Sequence, residues 1–205
     1  MSISFNFNQL SFIILVIFLA AWLVQMLYHW ITFRRLAFYK KKEVNTNYEP
    51  VSVIVCAHNA YEYLLDLLPV VLNQDYPEYE LVIVNDCSQD QTEEHLKELA
   101  RNNPKINFVN LTQHLNFFQG KKFPLSMGIK SAKYDLLLLT DADCVPTSDQ
   151  WIKEMVGAYN KDTEIVVAYG PYFERKGLLN KLIRFDTLYI AMQYMSLALA
   201  KKPYM

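Results

Sequence analysis

The chain opens on an apolar run. Leu10 to Ile31 is 22 residues without Asp, Glu, Lys or Arg. As a helix it would measure about 33 Å, enough to cross a hydrocarbon core of about 30 Å. Trp22, Tyr28 and Trp30 would put aromatic groups in its second half and at one interface. A cleaved signal peptide would need a basic start and small residues at its end, and neither is present. A buried core helix is the other alternative. Residues 43–50 (EVNTNYEP) then read as a polar linker closing on Pro50.

Beyond the linker the pattern alternates. Continuous β-branched or apolar runs predict strands over Val51–Ala57, Glu80–Asn85, Ile106–Asn110, Asp135–Thr140 and Ile165–Tyr169. Between them, helical spacing predicts Tyr61–Leu72, Asp90–Ala100 with Asp90 and Glu93 in capping-box spacing, and Lys122–Ala132 starting near Pro124. Ser148–Tyr159 follows, capped by Ser148 or Asp149, and then a long, mostly apolar helix over Leu178–Ala200. Lys181, Arg184 and Asp186 argue against reading that last helix as a second span. It is more apolar than one packing stripe requires, so it predicts packing on the membrane side or against a further C-terminal half. Strands that are apolar throughout, separated by helices, indicate a mostly parallel sheet covered on both faces. The expected fold class is α/β, preceded by one transmembrane helix. The expected division is 1–33 anchor, 34–50 basic collar and linker, and 51–205 globular domain.

Composition agrees with one globular domain: 205 residues, 52% hydrophobic and 20% charged. A formal net charge of −1 excludes a general nucleic-acid binder. The distribution says more. Residues 34–42 hold five basic groups, Arg34, Arg35, Lys40, Lys41 and Lys42, whereas Glu43 onward has 15 Lys/Arg against 21 Asp/Glu. A basic collar just after the span puts the globular part in the cytoplasm, with a single pass through the cell membrane. As solvated charges near headgroups, the same residues need no further role. Cys56, Cys87 and Cys144 are too few and scattered for a disulfide framework or a zinc site.

Ligands of open α/β sheets bind beyond the carboxyl ends of the strands. Those ends supply His58 and Asn59, then Asn85–Asp90 (NDCSQD), then Asp141 and Asp143. Two carboxylates two residues apart can reach one hard cation such as Mg²⁺ or Mn²⁺. They also read as a turn pair before the next helix. An EF-hand is excluded, because Pro146 and Ile152 stand where Gly and Glu are required. Asp86 reads either as a turn-former or as an acceptor for a base or sugar hydroxyl. Gly120-Lys121-Lys122 could bring cations to phosphates but is not a P-loop. The five glycines form no G-x-G-x-x-G, and no G-x-S-x-G elbow surrounds Ser126. His58, His95 and His114 form no cluster in the sequence.

Together, VSVIVCAHNA (Val51–Ala60), ELVIVNDCSQDQT (Glu80–Thr92), GKKFPLSMGIKSA (Gly120–Ala132) and DLLLLTDADC (Asp135–Cys144) resemble the donor-binding half of family 2 glycosyltransferases. The resemblance implies a GT-A fold with a Rossmann-like nucleotide-binding half. It implies that Ala57 and Asn59 border the nucleotide, Asp86 holds the base, usually uracil, and Lys121 approaches the diphosphate. Asp141 would face the ribose or metal, and Asp143 would ligate a Mg or Mn ion bridging the diphosphate. Pro124 stands where the family usually has alanine. The implied reaction is inverting transfer of a sugar from a nucleotide donor, UDP-linked by family expectation, to a glycan or lipid-linked acceptor at the membrane. The family's carboxylate base and acceptor motifs do not follow these segments. Glu174 and Asp186 are carboxylates near the end, and neither is assigned as base. The alternative is a non-catalytic nucleotide-sugar-binding module whose partner chain supplies the acceptor half. A nucleotidyltransferase would need a glycine- and basic-rich loop after the first strand, and Cys56–Leu64 has none.

Overall fold

The computed structural model describes residues 9–40, 48–112, 120–160 and 163–202. Lys41, Lys42, the first five linker residues and His114 lie outside them. The described elements run α1 (Gln9–Ala37), β1 (Val51–Ala57), α2 (Tyr61–Leu72), β2 (Tyr79–Asp86), α3 (Thr92–Asn102), β3 (Ile106–Leu111), α4 (Lys122–Ser131), β4 (Leu136–Asp141), α5 (Trp151–Gly157) and α6 (Leu178–Leu199). Contacts divide the chain into two compact units, residues 43–168, and residues 1–42 together with 169–205.

In the first unit all strand pairs are parallel and the order is β3-β2-β1-β4. Val51 of β1 lies opposite Tyr79 of β2 and Leu136 of β4. The two-residue period of a strand sorts its side chains onto two faces. Val51, Val53 and Val55 share one core with Leu64, Leu67, Leu68 and Val71 of α2, Leu96 of α3 and Ile152 and Val156 of α5. The alternate residues Ile54 and Val84 lie under α4, where Gly128 comes so close that a Cβ would stand 2.7 Å from Ile54 Cγ2. The expected α/β fold with helices on both faces is therefore present.

Four local expectations are corrected. Ile165–Tyr169 is not a strand. Its apolar residues find no ladder: β4 is the outermost described strand, and Ile165 and Val167 are 75% and 45% exposed. For the same reason β4 is not covered throughout, and Leu139 is half exposed. The helix expected from Ser148 is α5 and starts only at Trp151, and neither Ser148 nor Asp149 caps it. Their carbonyls are taken by the Gln74 side chain (2.8 Å) and the Asp75 amide (2.8 Å). The buried Gln74 Oε1 accepts from Ile152 N instead, at 3.1 Å, so the helix receives its cap from the segment just after α2. Lastly, Asp90 lies two residues ahead of α3, whose N-cap is Gln91. Its two oxygens accept from Thr92 N (3.0 Å) and from Tyr61 N (3.2 Å). One carboxylate thereby serves the first turns of α3 and α2, where free amides and the helix dipole favour negative charge.

The second unit pairs α1 with α6. His29 donates through Nδ1 to the Gln25 carbonyl (2.7 Å), which leaves Nε2 to accept from the Tyr189 hydroxyl (2.9 Å). Phe33 meets the Tyr189 ring edge-on with centroids 5.8 Å apart, and Phe185 stacks on it at 6.3 Å. Thr32, Ala191 and Ser196 are buried in this unit. α1 is long and apolar enough to cross a membrane, and its apolar residues face outward.

Candidate functional site

The strand order reverses between β1 and β4, so the crevice beyond their carboxyl ends is the topological switch point of the sheet. A cleft of about 190 Å³ lies there, lined by Cys56, Ala57 and His58 after β1, Asp86 at the end of β2, Lys121 and Pro124 at the start of α4, and Asp141–Asp143 after β4. It is smaller than the roughly 300–1,000 Å³ of pockets that enclose a ligand, so an extended ligand would fill it in part and lie over the rim.

Of the six residues expected at the site, five line this cleft: Ala57, Asp86, Lys121, Asp141 and Asp143. Asn59 does not. It holds a left-handed φ of 49°. Its Oδ1 accepts from Gln89 N (2.7 Å), and its own amide donates to Ser88 Oγ (2.9 Å). Asn59 therefore ties the loop after β1 to the loop after β2. Ala60 N donates to the buried Thr92 Oγ1 (3.0 Å) in the same seam. Asparagine tolerates this backbone region better than most residues, and its short amide can bridge to neighbouring backbone.

Lys121 is the N-cap residue of α4 and follows Gly120, whose φ is 97°. Its Nζ lies 2.9 Å from Asp141 Oδ1, and both side chains are well exposed. This hydrogen bond, with the nearby carboxylates, raises the ammonium above its ordinary pKa. So exposed a pair contributes about 0–1 kcal/mol to stability.

Asp141, Asp143 and Cys144 bring one potential ligand atom each within 4.8 Å of one another. The expected carboxylates are thus joined by a thiol that the sequence reading passed over, although DADC places it next to them. Burial, then the charges of Asp143 and Asp141, raise the Cys144 thiol. A thiol is a soft ligand, and a hard cation prefers the two carboxylates. The donor set therefore fits Mg²⁺ or Mn²⁺ completed by phosphate and water oxygens. Cys56, in the same cleft, is pushed up to about 11, first by burial and then by Asp86. It carries no thiolate at neutral pH. His58 Nδ1 donates to the Asp86 carbonyl at 2.6 Å, fixing the end of β2 against the end of β1.

A family model described as Glycosyl transferase family 2 matches residues 52–202. An uncharacterized glycosyltransferase of Haemophilus influenzae is 32% identical over 124 residues, 60% of this chain and 36% of that protein. A poly-beta-1,6-N-acetyl-D-glucosamine synthase of Staphylococcus aureus is 33% identical over 130 residues, 62% of this chain and 30% of that one. The chain thus spans about a third of the length of the curated relatives it matches. Among solved structures, a mannosyltransferase from Pyrobaculum calidifontis, in complex with GDP-Man and Mn²⁺, is similar at a TM-score of 0.59 with 25% identity, covering 70% of this chain and 42% of that one.

Proposed function

The chain belongs to glycosyl transferase family 2, and from that premise we propose that its cleft binds the nucleotide-diphosphate part of a sugar donor, UDP-linked by family expectation. The observation that carries this reading is the convergence of Asp86, Lys121, Asp141 and Asp143 on one cleft at the switch point. Asp86 accepts from the base, and Ala57 offers a small wall beside it. Lys121 approaches the diphosphate. Asp143, with Asp141, would hold the divalent ion. When bound, that ion supplies charge stabilisation for the departing diphosphate. The reaction served is direct displacement at the anomeric carbon with inversion, and the acceptor is a glycan or a lipid-linked sugar. α1 anchors the chain in the cell membrane as a single span, with Arg34 and Arg35 on the cytoplasmic side. The match to a poly-beta-1,6-N-acetyl-D-glucosamine synthase agrees with a role in polysaccharide formation.

Asn59 acts here as a strut that holds the loop after β1 to Ser88 and Gln89, just beyond Asp86. The test is calorimetric titration of UDP into the detergent-solubilised full chain, with and without Mn²⁺, for wild type and Asp143→Ala. Binding that needs Mn²⁺ and is lost in the variant is the expected result. Equal, metal-independent binding by both would refute the donor site at these carboxylates. A charge-assisted contact of about 1.5–3 kcal/mol corresponds to a loss of roughly 10- to 150-fold in affinity.

A further inference from the structure

The two units differ sharply in charge. Residues 43–168 hold 9 Lys/Arg and 19 Asp/Glu, whereas residues 1–42 with 169–205 hold 11 Lys/Arg and 2 Asp/Glu. The basic unit is also the one with uncovered apolar helices. On α6, Leu178, Leu182, Phe185 and Leu188 are 74%, 55%, 67% and 45% exposed. Lys181 and Arg184 lie in its first two turns, and Lys201 and Lys202 follow its last.

We propose that α6 is a second membrane-contacting element: an interfacial helix whose apolar side chains enter an anionic leaflet and whose basic residues hold its headgroups. This rests on the reading of α1 as a membrane span. The level at which the helices meet carries the argument. Tyr189, the twelfth of the 22 residues of α6, meets His29 and Phe33 of α1. Those two residues lie in the last turns before Arg34 and Arg35, where the apolar run ends. A second span would place its midpoint against the middle of α1. Here the midpoint lies at the headgroup end, among aromatic rings that favour that level. Asp186 on the same helix is costly at the bilayer centre and readily hydrated at the interface. Lys181 and Arg184 can lay their stems along apolar surface and keep their charges in the headgroups. Continuity with the outward-facing apolar surface of α1, together with the excess positive charge, selects a lipid surface as the occupant.

The test uses the full chain in vesicles of equal parts phosphatidylcholine and phosphatidylglycerol. A photoactivatable benzoylphenylalanine is placed at Leu188 of α6 and, in a separate preparation, at Ile17 of α1. Adduct masses then identify what each probe touched. Lipid adducts at both positions are expected. Lipid adducts at Ile17 alone, with no adduct or a second copy of the chain captured at Leu188, would overturn the inference and leave the anchor in place. Absence of lipid adducts at Ile17 would remove the anchor itself, and this inference with it. A second arm replaces Lys181, Arg184, Lys201 and Lys202 with Gln. Each basic group near an anionic leaflet is worth on the order of fivefold, so the lipid adduct at Leu188 should fall several-fold. An unchanged yield would refute the headgroup contacts.

Discussion

Gly128 offers the most demanding test of how the site is supported. A methyl group added there would stand 2.7 Å from Ile54 Cγ2 and 3.0 Å from Val84 Cγ2. Carbon atoms rest about 3.5–4.0 Å apart, so the overlaps are at least about 0.8 Å and 0.5 Å. Neither neighbour yields easily. Both methyls branch at Cβ, where χ1 is stiff, and both residues are buried in central strands. Overpacking of this kind costs about 1–3 kcal/mol. Replacing glycine by alanine inside a helix returns up to about 1 kcal/mol. Gly128→Ala should therefore lose a net of up to about 2 kcal/mol, or up to roughly 8 °C in midpoint for a chain of this size. The assay is thermal unfolding of the full chain in detergent, followed by near-ultraviolet circular dichroism. A cycle with Ile54→Ala isolates the cause, because that change removes the offending Cγ2. In the Ile54→Ala background, alanine at 128 should cost at least about 1 kcal/mol less than in wild type. If Gly128→Ala unfolds at or above the wild-type midpoint, or costs the same in both backgrounds, the close approach of α4 to the sheet is wrong. Since α4 begins beside Lys121, the same substitution should also weaken UDP binding.

Further outcomes follow from the site and its loops. Cys144→Ser should leave Mn²⁺-dependent UDP binding within about twofold in calorimetry, because a hard cation prefers the carboxylates to a soft thiol; loss of the metal requirement would contradict that. Cys56 should react slowly with iodoacetamide at neutral pH, with a rate that climbs only as pH approaches about 11, and rapid labelling near pH 7 would refute its protonated state. For Asp90, burial acts upward, but the hydrogen bonds from Thr92 and Tyr61 outweigh it and hold the carboxyl below its ordinary value. Its folded pKa is depressed, so its stabilisation is complete above the ordinary carboxylate range and is lost as pH falls through the lower, folded value. Asp90→Asn should flatten this acid limb in denaturant titrations run at a series of pH values, and an unchanged limb would count against the shared cap.

Much of the fold could be read because its information is local. Continuous β-branched runs located β1 and β2, and apolar spacing located Tyr61–Leu72 to the residue. The carboxylates at the site were legible too, because a strand end followed by D-x-D places them without tertiary help. Long-range contacts were not legible. Gln74 caps a helix that begins 77 residues later, and Asp90 reaches back 29 residues to Tyr61. Both look like ordinary turn or helix residues in sequence. Asn59 sits in the loop the resemblance pointed to, but its side-chain oxygen and its backbone N–H are both engaged between two loops. Ile165–Tyr169 has strand composition, yet a strand also needs a neighbour to pair with, and composition cannot supply one.

The ion pair between Lys121 and Asp141 bears on the order in which ligands would arrive. A bare cation approaching Asp141 competes with a positive charge already bonded to it at 2.9 Å. A diphosphate would bring acceptors of its own for the ammonium of Lys121, which would leave Asp141 available to hold a cation together with Asp143. The exposed pair is weak enough to break without a large barrier. Metal and donor would then enter most readily as a preformed complex, and release of the diphosphate would restore the internal pair and help expel the ion. Under the proposed function, the internal pair would make the cleft ready for the next donor.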